Sequence, residues 1–179
     1  MKELILGGAR SGKSALAQQQ ATASGLEVVF IATASADDAE MADRIARHQA
    51  DRPGHWQLVE EPVALADTLR RHASAKRCLL VDCLTLWLSN LLHDETVDEA
   101  RLARERDALL QILPSLPGHL ILVSNEVGLG VIPLGQLTRR FCDEAGRLHQ
   151  ALAAQCDRVT LTVAGLPHRL KDTTTGDRP

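Results

Sequence analysis

Tyrosine is absent from this 179-residue chain, and Phe and Trp number only two each. A core of stacked aromatic rings is therefore excluded. With 45% hydrophobic residues, the interior must be built from Leu, Val, Ile and Ala. No apolar run approaches the roughly 20 residues needed to cross a bilayer. Met1-Lys2-Glu3 leads through a short apolar stretch straight into glycines, without the long hydrophobic region of a secretory signal. A basic excess is missing as well. The net charge of -3 argues against a nucleic-acid-binding face. The cysteines Cys78, Cys83, Cys142 and Cys156 form no C-x-x-C pair, and no histidine falls at metal-site spacing beside them. They read as free thiols of a cytoplasmic protein.

What is present is a regular alternation. Short apolar runs at Glu3–Leu6, Glu27–Ala32, Trp56–Glu60, Cys78–Asp82, Leu120–Val123 and Arg158–Val163 read as strands, the last of these as the final strand. Helical patterns separate them. These cover about Gly12–Ser24, Asp37–His48, Pro62–His72, Leu84–Leu92, Asp98–Leu113 and Leu137–Gln155. Val127–Gly135 is glycine-rich and reads as a loop. The alternation predicts an α/β fold, a mostly parallel sheet flanked by helices on both faces. In such sheets ligands gather at the carboxyl ends of the strands. Gly7–Ser14, Thr33, Asp82 and Asn125-Glu126 all fall there.

Gly7-Gly8-Ala9-Arg10-Ser11-Gly12-Lys13-Ser14 matches G-x-x-x-x-G-K-[ST] and sits between a strand and a helix. Glycines let successive backbone N–H groups converge on phosphate oxygens, and the helix start adds its positive end. Lys13 supplies a point charge for the β- and γ-phosphates of ATP or GTP, and Ser14 a hydroxyl for Mg²⁺. The expected architecture is thus a single P-loop, RecA-like domain over residues 1–179, with 171–179 a loose tail. Asp82 ends an apolar strand where P-loop enzymes hold the metal's carboxylate, and it also suits a helix cap before Thr85. His48 shares a helix face with Arg44. A neutral imidazole is a competent nucleophile towards phosphorus, but a histidine near a helix C-terminus also complements the dipole. The residues alone leave both roles open.

The order of segments resolves more. Beyond the P-loop come Ile31-Ala32-Thr33-Ala34, Glu40-Met41, Arg44-Ile45, His48, Arg52-Pro53, Trp56 and Glu60-Glu61-Pro62. Then follow Leu80-Val81-Asp82-Cys83-Leu84-Thr85-Leu86-Trp87, Ser89-Asn90-Leu91 and Val123-Ser124-Asn125-Glu126-Val127-Gly128. Gly130, Pro133, Arg140-Phe141, Asp143, Gly146, Gly165, Pro167 and Leu170-Lys171 complete the set. Over residues 4–171 this resembles the bifunctional adenosylcobinamide kinase / adenosylcobinamide-phosphate guanylyltransferase family of cobalamin biosynthesis. The resemblance implies phosphorylation of adenosylcobinamide with ATP or GTP, then transfer of GMP from GTP through a GMP-histidine, placed at His48. It implies Lys13 as the other catalytic residue. Nucleotide contacts fall on Gly7 to Ser14, Ala32, Thr33, Ala34, Gln49, Ala50, Asp51, Arg52, Glu60 and Asp82, with Ser14 and Asp82 at Mg²⁺. A homotrimer is implied too. The chain departs from some members in carrying Arg47-His48 where they have two histidines. Competing readings are a P-loop small-molecule kinase with a single activity, and a RecA-like ATPase or nucleotide-dependent regulator. The second would need a coupling surface that the charge and length do not suggest.

Overall fold

The computed structural model describes residues 1–34, 53–93 and 99–174. Within them seven strands and five α-helices alternate. In chain order they are β1 (Lys2–Gly7), α1 (Lys13–Ala23), β2 (Glu27–Ala32), β3 (Gln57–Glu60), α2 (Leu65–His72), β4 (Arg77–Asp82), α3 (Leu84–His93), α4 (Glu99–Ile112), β5 (His119–Asn125), α5 (Gln136–Gln155), β6 (Arg158–Val163) and β7 (Leu166–Asp172). The helix expected over Asp37–His48 lies outside the described residues.

The strands form one sheet in the order β3-β2-β4-β5-β1-β6-β7. All pairs are parallel except β6 with β7. Inner strands such as Cys78–Val81 and Leu120–Ser124 are buried throughout, as continuous apolar runs between two covered faces must be. Alternation divides them cleanly. Leu4, Leu6, Val29, Ile31, Leu79, Val81, Leu120 and Leu122 pack against α2, α3, α4 and α5. Ile5, Val28, Phe30, Cys78, Leu80, Ile121 and Val123 pack on the other face against Ala17 and Ala21 of α1. Small residues on α1 bring that helix close to the sheet. Helices flank both faces, four on one and α1 on the other among the described residues.

Three expectations are corrected. Arg158–Val163 is not the final strand. Ala164 (φ 50°) and Gly165 (φ 80°) turn the chain back into β7, with Val163 opposite Leu166. Two successive positive φ values are those of a tight hairpin turn. The tail accordingly does not begin at Lys171. Lys171 and Asp172 are strand residues; Lys171 Nζ donates to the Ala153 and Ala154 carbonyls, and Asp172 accepts from Arg158 Nε at 3.2 Å. Finally, α2 begins at Leu65 rather than Pro62. The Glu61 carboxylate accepts from the N–H groups of Val63 (3.0 Å) and Ala64 (2.7 Å) and from Thr68 Oγ1, so it satisfies the free donors that precede the first turn.

Candidate active site

The parallel registers bring the carboxyl ends of β2, β4, β5 and β1 into one row. Ala32 lies beside Asp82, Asp82 beside Val123, and Gly7 beside Asn125. The glycine motif leaves β1 at this row. A Cβ on Gly7 would collide with Ser11 Oγ and, at 2.7 Å, with the Thr162 carbonyl oxygen, so the turn closes only around glycine. Gly12 sits at φ 93° with the Gly165 Cα 3.1 Å from its would-be Cβ, which makes it the second obligatory glycine. Arg10 also has positive φ, at 55°. Neighbouring strands brace the loop: Gly165 N donates to Ser11 O at 2.8 Å, and Glu126 N to Gly7 O at 3.0 Å.

Helix α1 starts at Lys13 with neither a side-chain cap nor an acidic residue in its first turn. Its positive end is therefore not offset locally. Lys13 is buried, and its ammonium donates to the Gly8 carbonyl at 3.1 Å, folded over the loop that precedes it. Its charge reaches the end of β4 as well, where it pulls against the burial that raises the pKa of the Cys83 thiol. Asp82, next in the chain, has no hydrogen bond or ion pair on its carboxylate among the described residues. With the Ser14 hydroxyl it offers the hard oxygen donors that suit Mg²⁺. The Asp82–Cys83 peptide is cis. Thr33 Oγ1 donates to Cys83 O (2.6 Å) and accepts from Cys83 N (2.9 Å), while Asn90 Nδ2 donates to the Thr33 and Pro62 carbonyls. The Ala32–Ala34 segment is thus tied to the Asp82 strand end. Glu60 is exposed, in register with Ala32 on the neighbouring strand.

Gly7 through Ser14, Ala32, Thr33, Ala34, Glu60 and Asp82 all lie at this sheet end. His48, Gln49, Ala50, Asp51 and Arg52 lie outside the described residues. Sequence reasoning missed a buried group beneath the row. Ser124 Oγ is 2.8 Å from His149 Nε2 and 3.1 Å from Thr85 Oγ1, and His149 Nδ1 is 3.6 Å from Glu126 Oε2. Burial lowers the His149 pKa, and the Glu126 carboxylate opposes that shift. The available signal was a histidine on the otherwise apolar face made by Ala145, Leu148 and Leu152.

A backbone cradle, a lysine folded over it and an uncapped helix start together have the chemistry to receive a polyphosphate. This defines the class, a P-loop nucleotide enzyme. Solved structures agree on the fold: the flagellar accessory protein FlaH of Methanocaldococcus jannaschii matches with TM-score 0.52 at 13% identity, over 99% of this chain and 80% of that one. An ATPase of a bacterial type III secretion system matches with TM-score 0.53 at 11% identity, over 98% of this chain and 58% of that one. Residues 3–170 match the model of the cobinamide kinase / cobinamide phosphate guanyltransferase family, and the chain belongs to that family. It is 65% identical over 171 residues to the bifunctional adenosylcobalamin biosynthesis protein CobP of Pseudomonas aeruginosa, covering 96% of this chain and 98% of the relative. It is 36% identical over 182 residues to the CobU protein of Escherichia coli, covering 96% and 100%. The protein is thus a bifunctional transferase of cobalamin biosynthesis, which sets aside both the single-activity kinase and the regulator.

Proposed function

We propose that the two transfers run as follows, on the strength of one observation: the Gly7–Ser14 cradle, Lys13 and the Asp82 carboxylate share one sheet end. In the first transfer the cradle holds the triphosphate of ATP or GTP through backbone N–H groups, with Lys13 against the β- and γ-phosphates. The aminopropanol hydroxyl of adenosylcobinamide attacks the γ-phosphorus, and the nucleoside diphosphate leaves. Ser14 and Asp82 would hold Mg²⁺, whose charge offsets that of the phosphates when it is bound. In the second transfer a ring nitrogen of neutral His48 attacks the α-phosphorus of GTP, and pyrophosphate leaves. A phosphate oxygen of adenosylcobinamide phosphate then attacks the same phosphorus, the phosphorus–nitrogen bond breaks and adenosylcobinamide-GDP forms. The covalent stage splits one anion-on-anion displacement into two. Arg44, Arg47 and Arg52 flank His48 in the sequence and would offset the accumulated negative charge.

Gln49, Ala50, Asp51, Arg52 and Glu60 complete the proposed nucleotide contacts. The working form is a homotrimer in the cytoplasm. Association is supported by the loop between β5 and α5, where Leu129, Val131, Ile132 and Leu134 are 78–97% exposed, an apolar patch of the kind that marks contact surfaces. No helix among the described residues is long and apolar enough to cross a membrane.

The decisive experiment incubates the protein with GTP labelled in the α-phosphate and Mg²⁺, then denatures it. Label should remain bound, survive alkali and be lost in acid, as a phosphorus–nitrogen bond to imidazole requires. His48→Asn should retain none of it while still phosphorylating adenosylcobinamide. Undiminished labelling of His48→Asn would remove His48 as the nucleophile.

A further inference from the structure

We infer that Asn125 is a catalytic residue of the phosphoryl transfer, its carboxamide oxygen receiving a hydrogen bond from the attacking hydroxyl, and that the buried chain Glu126–His149–Ser124–Thr85 positions it. The inference rests on the reading of residues 7–14 as the triphosphate cradle.

Placement comes first. Along β5 the side chains alternate: Leu120 and Leu122 pack towards α5, Ile121 and Val123 towards α1. Ser124 thus faces α5, where it meets His149, and Asn125 faces α1. The same parity on β4, with Leu80 towards α1, places Asp82 on that face too. Asn125 is the register neighbour of Gly7, the first residue of the cradle, and stands two residues beyond Val123, the register partner of Asp82. It therefore stands between the phosphate loop and the strand carrying the proposed metal carboxylate.

The second observation is chemical. Asn125 Oδ1 is buried and has no hydrogen-bond partner among the described residues. A buried acceptor left without a partner is costly, so its retention calls for a ligand. Two more such atoms surround Gly7: Ser11 Oγ within the loop, and Thr162 Oγ1 on β6, whose register partner is again Gly7. An oxygen acceptor does not suit a phosphate, which brings only oxygens. It suits a donor, and the donor that reaches this place in the reaction is the hydroxyl that receives the phosphoryl group.

The third observation is the support. Asn125 N donates to Thr85 Oγ1 at 2.6 Å. The chain closes with one consistent direction when His149 is neutral and its Nδ1–H faces Glu126. The Thr85 hydroxyl then donates to Ser124 Oγ, and the Ser124 hydroxyl to His149 Nε2. Glu126 is held in turn, its Oε1 accepting from Gly128 N at 2.8 Å. Hydrogen bonds thus link His149, Ser124 and Thr85 to the backbone of Asn125, and Glu126 stands 3.6 Å from the far side of the imidazole. In the transfer itself the hydroxyl oxygen bonds to the γ-phosphorus, the bond from that phosphorus to the β–γ bridging oxygen breaks, and the hydroxyl proton is released to solvent. Asn125 orients the oxygen and takes no proton.

The test measures kcat for adenosylcobinamide phosphorylation together with the dissociation constant of ATP in full-length variants of unchanged thermal midpoint. Asn125→Ala should lower kcat about 100-fold, the scale of losing one orienting group, with ATP affinity within about threefold of the parent. Asn125→Asp keeps an acceptor but adds a charge beside the phosphates. It should keep more of kcat than Asn125→Ala while weakening ATP binding about tenfold. Ser124→Ala should lower kcat about tenfold without altering ATP affinity. A kcat within threefold of wild type in Asn125→Ala, or a defect confined to ATP affinity, overturns the assignment. Lys13→Ala run in parallel separates the two readings. Loss of activity there with an active Asn125→Ala sinks only the role of Asn125, whereas full activity in Lys13→Ala sinks the cradle and this inference together.

Discussion

Burial divides the four cysteines, all of them free. Desolvation raises the thiols of Cys78 to about 11 and Cys156 to about 12, and it raises Cys83 as well. Since only the thiolate reacts, native protein at pH 8 should leave these three unmodified by a disulfide reagent while half-buried Cys142 reacts. Four thiols should titrate after unfolding in the absence of reductant. His149 gives a second expectation at this scale. Its folded pKa lies below the model-compound value of 6.5 because burial disfavours the cation. Between the folded value and 6.5 the unfolded chain binds more protons than the folded one, so stability rises with pH through that window. Urea midpoints should therefore fall as the pH is lowered from 7 to 5.5, and His149→Gln should flatten that slope. The residue level was only partly legible in sequence. Gly7, Gly12, Lys13 and Asp82 announce themselves by motif and by place at a strand end. His149 and Ser124 do not, because their meaning arises only when α5 is laid across β5.

At the scale of elements, α2 shows how a short helix is held. Its N-cap residue is Ala64, which offers no side-chain acceptor, and Glu61 substitutes from three residues upstream. Glu61→Ala should cost about 1 kcal/mol, in line with the loss of a cap, and lower the thermal midpoint by 2–4 °C. A midpoint unchanged within error would show that solvent satisfies those donors equally well. The buried strands were readable because both faces are covered, so their apolar runs are uninterrupted. β7 was not readable. Leu-Pro-His-Arg-Leu-Lys-Asp lacks an apolar run, its residues from Leu166 to Leu170 are exposed, and Pro167 is tolerated because β7 is the edge of the sheet. The usable signal was Ala164-Gly165, a pair able to take two positive φ values between strands. The start of α2 was misplaced for a related reason. Proline is a common opening residue, but here the acceptor precedes Pro62 instead of following it.

At the scale of the whole molecule, the exposed Leu129–Leu134 loop is an apolar patch among the described residues of the kind that marks contact surfaces. Ile132→Asp combined with Leu134→Asp should convert the proposed trimer to monomer in sedimentation velocity without lowering the far-ultraviolet helix signal. An unaltered sedimentation coefficient would place the contact elsewhere.

The strand order also bears on biogenesis. β1, made before the other six strands, pairs among the described residues with β5 and β6, whose partner residues stand more than a hundred positions later. Early synthesis can pair β2, β3 and β4 with one another, but β1 has no neighbour until β5 emerges. The Gly165 brace on the phosphate loop arrives later still. A nascent chain therefore carries its glycine motif for most of translation without the architecture that shapes it. Ribosome-bound chains stalled before residue 119 should not be retained on immobilised ATP, whereas chains exposing residues 1–174 should be.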